Sequence, residues 1–340
     1  MLDEERGRVE LPASTCPAWI HPNPGGRGYY EWSLPPAQLA ALVARNDLDQ
    51  RDQVDIAGSV DAAVRAGALE LGAGLDALLA LARRGDLEVI RRTTGLWDLV
   101  DRAVVDPPHR RAFAARLATY AQVARSVGVE LRPDDDSARR ELRARLVPLV
   151  GRAGNDATLQ RAALTWLDAW LGDVKGTRSP TPRELPVLYA LAPLAGGAPL
   201  FDRLLRAGRG LPSVAVGGFR EPALVDRALA PITAGDVPPP TAFELLAALV
   251  TDPLSQARAL PVALATYATL AGRISDIDRP ATAGVFAGVC RAPSRPAIET
   301  TLRDTLGDPL PTIAGEVLRT IDDCIAFRAH HLPAATAYFK

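Results

Sequence analysis

Apolar positions recur at helical spacing along almost the whole of this chain. Behind the proline pair Pro35-Pro36, which suits a helix's first turn, Leu39, Leu42 and Val43 mark an apolar face. Asp49 to Ala66 carries Val54, Ala57, Val60, Ala63 and Val64 on one stripe, and Gly67 supplies the stop. Leu75, Leu78, Leu79 and Ala82 repeat the pattern up to Gly85, and Asp86 reads as the N-cap of a helix holding Ile90 and Trp97. Pro107 to Val127 predicts a long helix with Phe113, Leu117, Tyr120 and Val123 on one side. The run Asp134-Asp135-Asp136 precedes another helix, where carboxylates favour the positive end of the dipole; this reading outweighs a metal site. Trp166 and Trp170 sit four apart and read as core rather than as a ligand box. Residues 173–183, rich in Gly, Ser, Thr and Pro, form the clearest break and a possible subdivision. After it, short helices are expected to begin near Arg183, Pro199, Pro222, Pro239, Ser255, Pro280, Ser294 and Pro311.

The leading segment has a different pattern. Val9-Glu10-Leu11 alternates, and the runs Trp19-Ile20 and Tyr29-Tyr30-Glu31-Trp32 flank the turn residues Pro22-Asn23-Pro24-Gly25-Gly26. This predicts strand, turn, strand within residues 8–34. Two or three strands are marginal alone and need helices or another sheet to pack on. Residues 1–34 are therefore expected to form a β-strand segment and residues 35–340 a helical domain. Many short helices with brief connections describe an irregular, HEAT-like α-solenoid of antiparallel pairs, with no exact repeat period.

Composition excludes more than it identifies. The net charge is −1, which gives no electrostatic case for nucleic acid or an acidic membrane surface. No apolar run approaches the ~20 residues that span a bilayer. Met1-Leu2-Asp3-Glu4-Glu5-Arg6 is charged and has no apolar core, so it is not a signal peptide; a cytoplasmic location is the expectation, with nothing said about a leader on any parent protein. Cys16, Cys290 and Cys324 are far apart and odd in number, and without a C-x-x-C pair they read as buried small hydrophobes.

The stretch Cys16-Pro17-Ala18-Trp19-Ile20-His21-Pro22-Asn23-Pro24-Gly25-Gly26-Arg27-Gly28-Tyr29-Tyr30-Glu31-Trp32 resembles the C-P-x-W-x-x-P-N-x-x-G-x-G-Y-Y-R-[WF] motif of zinc aminopeptidases related to aminopeptidase N. Gln50 to Gly67 is similar to that family's R-x-x-L-x-D-x-x-A-L-A-x-A-G helix, and Leu78, Leu81 and Asp86 fit its next helix. Gly218 to Leu229 looks like its G-x-F-x-D-P-x-L-x-x-R-A-L segment, and Ile321 to Arg328 its terminal E-x-I-x-x-C-x-x-x-R helix. These motifs occur in the family's order over most of the chain. They point to the endoplasmic-reticulum-aminopeptidase-like C-terminal domain, here of a bacterial enzyme. Glu31 stands where the family has Arg, a charge reversal, and Glu221 replaces Asp.

The resemblance implies structural or domain-interface roles for Trp19, Pro22, Asn23, Gly28, Tyr29 and Tyr30. Adjacent strand residues face opposite ways, so one of the two tyrosines is expected to pack inward and the other toward a neighbouring domain. Catalysis in the family needs H-E-x-x-H, whose two imidazoles meet one Zn²⁺ while the Glu activates water. The histidines here are His21, His109, His330 and His331, and no pair has that spacing. The G-A-M-E-N strand is missing, and Met1 is the sole methionine. Gly25-Gly26-Arg27-Gly28 lacks the Lys-Ser/Thr of a P-loop and reads as a tight turn. His330-His331 reads as capping or decorating the last helix. The pairs Arg83-Arg84, Arg91-Arg92, Arg110-Arg111 and Arg139-Arg140 read as solvated faces with local pairing.

The chain thus holds no catalytic or metal residues of its own, and zinc belongs to the implied catalytic domain. The resemblance implies a domain that covers the active-site cavity of a zinc aminopeptidase and controls peptide access. Its partners are then the catalytic and β-sandwich domains and the peptide substrate, whose contact residues are unknown. The alternative is a free-standing helical-repeat scaffold, which would not need half a β-sandwich.

Overall fold

A computed structural model describes Thr15 and residues 17–207 and 213–340. Cys16 and the Val9-Glu10-Leu11 alternation lie outside the described residues.

The helices form where the apolar stripes predict them, and their ends have local causes. After α1 (Pro36–Val43) comes α2 (Gln50–Arg65), opened by a capping box. There the Asp49 side chain accepts from the Asp52 N–H while Asp52 accepts from the Asp49 N–H. Glu70 caps α3 (Leu71–Ala82) and Asp86 caps α4 (Leu87–Ala103), each through two backbone N–H groups. A single 3₁₀ turn at Pro107–His109 leads into α5 (Arg110–Val127). The acidic triplet divides its work. Asp136 caps α6 (Ser137–Pro148), whereas Asp135 forms a buried ion pair with Arg143 at 2.7 Å. Arg143 also donates to the carbonyls of Val127 and Gly128, closing the C-terminal end of α5. A π turn at Leu149–Ala153 precedes α7 (Ala157–Leu171).

Residues 173–183 then connect α7 to α8 (Leu185–Ala207), and the two helices pack together. Helix α8 bends at Gly197, so the start expected near Pro199 is the second limb of one element. It is the one helix among the described residues long and apolar enough to cross a membrane by length and composition. Its prolines, its kink and its packing on α6 and α7 are those of a core helix. Five more helices follow: α9 (Pro222–Ala234), α10 (Pro239–Thr251), α11 (Gln256–Ala271), α12 (Arg295–Leu306) and α13 (Thr312–Tyr338). The start expected at Pro280 is a 3₁₀ segment, Arg279–Phe286, rather than an α-helix.

Sequential helices stack: α2 on α3 and α4, α4 and α5 on α6, α9 and α10 on α11, α11 on α12. The result is an all-α solenoid with one continuous apolar core. It does not stay open. Helix α13 returns to pack on α3 and α4 while still touching α12 and the 279–286 segment. Phe339 meets Phe113 edge to face at 5.5 Å, and Phe113 lies tilted against the fully buried Trp97. Arg328 donates to the Ala103 carbonyl and pairs with Asp106, while Tyr338 bonds Asp76.

Several sequence expectations change here. No strand occurs among the described residues; Trp19-Ile20 and Tyr29–Trp32 are irregular, around a 3₁₀ turn at Pro24–Gly26. A strand needs a neighbour to pair with, and this segment instead gives its polar groups to α2. Cys290 and Cys324 are not free hydrophobes but a disulfide that ties the loop before α12 to α13. His330 and His331 lie inside α13, and buried His331 donates through Nε2 to the Val64 carbonyl at 2.8 Å. Arg84 and Arg110 are not on solvated faces: Arg84 satisfies the Val43 and Arg45 carbonyls past α1, and Arg110 pairs with buried Asp101. Trp166 and Trp170 are half-buried, and the Trp166 indole donates to the Arg178 carbonyl under the 173–183 connection.

Candidate functional site

The leading segment, residues 17–34, is clamped onto the first turns of α2. Asn23 is the centre of the clamp and is 2 % exposed. Its Nδ2 donates to Asp55 Oδ1 at 2.6 Å and to the Gly28 carbonyl at 3.2 Å; its Oδ1 accepts from the Gly28 N–H at 2.7 Å. The Gly25 N–H donates to Asp52 Oδ1 at 2.7 Å, and the Trp32 indole donates to Asp55 Oδ2 at 3.0 Å. His21 lies between the same two carboxylates, with its ring edge-on to Trp32. Asp52 and Asp55 are one turn apart, so one helix face receives the whole segment.

Each motif residue has a reason in this geometry. Gly28 lets the Tyr30 ring cross it closely: a Cβ there would come within 2.1 Å of Tyr30 Cε1, so the ring would have to move aside. The Pro22 carbonyl accepts from the Tyr30 hydroxyl at 2.6 Å. Trp19 is covered on one face by the Arg45 guanidinium, 3.8 Å from the ring centroid. Tyr29 extends fully into solvent, and Tyr30 remains half exposed. Of the six residues singled out by sequence, Pro22, Asn23, Gly28 and Tyr30 are brought together in one turn, Trp19 packs instead on Arg45, and Tyr29 stands apart in solvent. The inward tyrosine packs on its own turn rather than into a core. Sequence reasoning missed the receiving pair Asp52 and Asp55, and His21. The signal available was two aspartates at i,i+3 beside an apolar stripe.

A second cluster lies where helix ends from distant parts of the chain converge. Asp101 at the end of α4 is fully buried and pairs with Arg110. Arg220, just before α9, donates to buried Asp252 at 2.8 Å and to the Arg152 carbonyl at 3.1 Å, and Arg152 stands 3.7 Å from Asp252. Burial raises Asp101 above the usual carboxylate range, against the pull of Arg110, Arg152 and Arg220. Burial acts the same way on Asp252, but Arg220 and Arg152 outweigh it and hold that carboxyl low. This network links helix ends from distant parts of the chain across the shared apolar core.

Neither cluster is a catalytic constellation. Among the described residues no group of three or more His, Cys, Asp or Glu side chains is placed to hold a metal ion. The chain matches the family model of the ERAP1-like C-terminal domain over residues 19–296, beginning at Trp19 of the clamped motif. No curated protein matches it. A match over most of the chain, on an all-α solenoid, makes this chain a member of the ERAP1-like C-terminal domain family, the C-terminal domain of an aminopeptidase related to ERAP1 and aminopeptidase N.

Proposed function

We propose that this chain is the non-catalytic cover of a zinc aminopeptidase, packed over the active-site cavity and limiting which peptides enter. The family match carries the reading. The geometry supports it in two ways. A solenoid whose last helix returns to its first repeats is suited to move as one body. The leading segment is held rigidly on α2 while presenting Trp19, Tyr29 and Tyr30 outward, as a docking face toward preceding domains would. The parent reaction is hydrolytic removal of N-terminal residues from peptides, with zinc and the catalytic groups on another segment.

The test is aminopeptidase turnover on a fluorogenic amino-acid amide and on a ladder of peptide lengths, with Zn²⁺ present. The chain alone is expected to be inactive, and mixing with a separately expressed catalytic segment is expected to change the length preference. Zinc-dependent turnover by the chain alone overturns the reading. The scaffold alternative gains from one observation: the described part of the leading segment has no strand, so the β-sandwich remnant no longer argues against it. Silence of the catalytic segment toward the chain favours that alternative.

A further inference from the structure

The buried charge network does not satisfy itself. It sets three guanidinium groups, Arg110, Arg152 and Arg220, against two carboxylates, Asp101 and Asp252, so one positive charge is left over. The five groups form one set, because Asp101 feels the charge of the other four. Asp101 is fully buried and Asp252 is 4 % exposed. Surplus charge so far from water is costly unless something pairs with it.

The hydrogen bonds show a matching surplus of donors. Arg110 spends its terminal nitrogens on Asp101 Oδ1 and on the Asp101 and Val105 carbonyls. Arg220 spends Nε on Asp252 Oδ2 and Nη1 on the Arg152 carbonyl. Arg110 Nε, Arg152 Nε and Arg220 Nη2 are buried and have no hydrogen-bond partner in the chain. One buried acceptor, Asp101 Oδ2, also has none. Asp252 has nothing more to give: its Oδ2 accepts from Arg220 and its Oδ1 from the Leu254 N–H. Arg152 stands 3.7 Å from it, and among the described residues no other ion pair engages Arg152.

We propose that this network binds a small monovalent oxyanion that carries one O–H group, of the class of bicarbonate. Such a ligand brings one negative charge, which closes the count of three against two. Its oxygens accept from the three orphaned N–H groups, and its O–H donates to Asp101 Oδ2. Burial already inclines Asp101 to hold a proton, and the ligand's O–H presents one to it. Water meets single donors of this kind but leaves the charge uncompensated. The Arg152 side chain is 22 % exposed and gives the ion a way in from solvent. The site is independent of the covering role proposed above, and an ion there ties the end of α4 to the turns before α7 and α9.

The test is the urea midpoint of the full chain at mildly alkaline pH, with sodium bicarbonate, nitrate or chloride added at millimolar levels and ionic strength held with gluconate. A ligand of the folded state alone raises the midpoint in a saturable way. Bicarbonate is expected to do so. Nitrate, of the same charge and planar shape but without an O–H, is expected to need at least about tenfold more, and so is chloride. Asp101→Asn turns the orphaned acceptor into a donor and is expected to reverse the order, with nitrate binding better than bicarbonate. Arg152→Met is expected to lose the bicarbonate effect, and Arg161→Met, on an exposed face, to keep it. A midpoint that ignores all three anions leaves water in the network and overturns the proposal. Equal effects of nitrate and bicarbonate on the parent chain, or an unchanged order in Asp101→Asn, also overturn it. If Arg152→Met fails to fold, the order of anions in Asp101→Asn still decides.

Discussion

Asn23 shows how one buried amide can hold a whole segment. Replacing it with alanine strands the Gly28 N–H and leaves Asp55 short of a donor, so a loss of about 1–3 kcal/mol is expected in denaturant unfolding, with a change in Trp32 fluorescence. Gly28→Ala acts differently. It pushes the Tyr30 ring off its turn, and the expected outcome is increased proteolysis within residues 22–30 with little change in the global midpoint. Glu184 gives a pH dependence. Burial would raise its carboxyl, but Arg178, the Leu131 N–H and the Thr181 N–H and hydroxyl outweigh this and hold it at about 2. Its folded-state value lies below the unfolded 4.5, so its stabilisation is present above pH 4.5 and is lost as pH falls toward 2. Glu184→Gln is expected to flatten that acid limb by up to about 3 kcal/mol in unfolding free energy measured against pH. The motif residues were legible from sequence because turn glycines and aromatics have few other uses. Their receivers were not: Asn23 and Asp55 are 32 residues apart, and nothing local to an aspartate tells which donor will reach it.

At the level of elements, helices were readable because the apolar stripe and the cap act within one or two turns. Asp86 caps where the sequence placed a cap, and Asp49 and Asp136, read only as standing at helix starts, cap there too. The leading strands were misread because alternation is only half of a strand. The other half is a partner edge, and among the described residues there is none. His330 and His331 read from sequence as capping or decorating the last helix, and α13 runs on past them. It continues through Pro333, and tertiary contact with α3 and α4 keeps it helical past that point. The disulfide was invisible for a similar reason: an odd set of widely spaced cysteines gives no pairing without the fold. Cys290 and Cys324 close a loop with a sequence separation of 34. Replacing both with serine is expected to lower stability by about 4 kcal/mol from the lost constraint on the unfolded chain, read as a drop in the denaturant midpoint.

For the molecule as a whole, the charge network between Asp101, Arg110, Arg152, Arg220 and Asp252 adds buried polar ties to a continuous apolar core. Arg220→Ala alone leaves Asp252 buried with its main partner gone, and a loss of about 3–5 kcal/mol is expected. Arg220→Met combined with Asp252→Leu is expected to recover most of it, because a well-packed apolar pair carries no desolvation cost. A double-mutant cycle in urea checks both. The return of α13 has a further consequence during synthesis. The Val64 carbonyl waits for His331, 267 residues later in the chain. At ribosomal rates of about 5–20 residues per second, the surfaces of α3 and α4 stay uncovered for tens of seconds. The family match ends at residue 296, before α13 begins. A nascent chain halted there would hold the matched repeats with their last face still open, a form for chaperones and proteases to recognise until the final helix emerges.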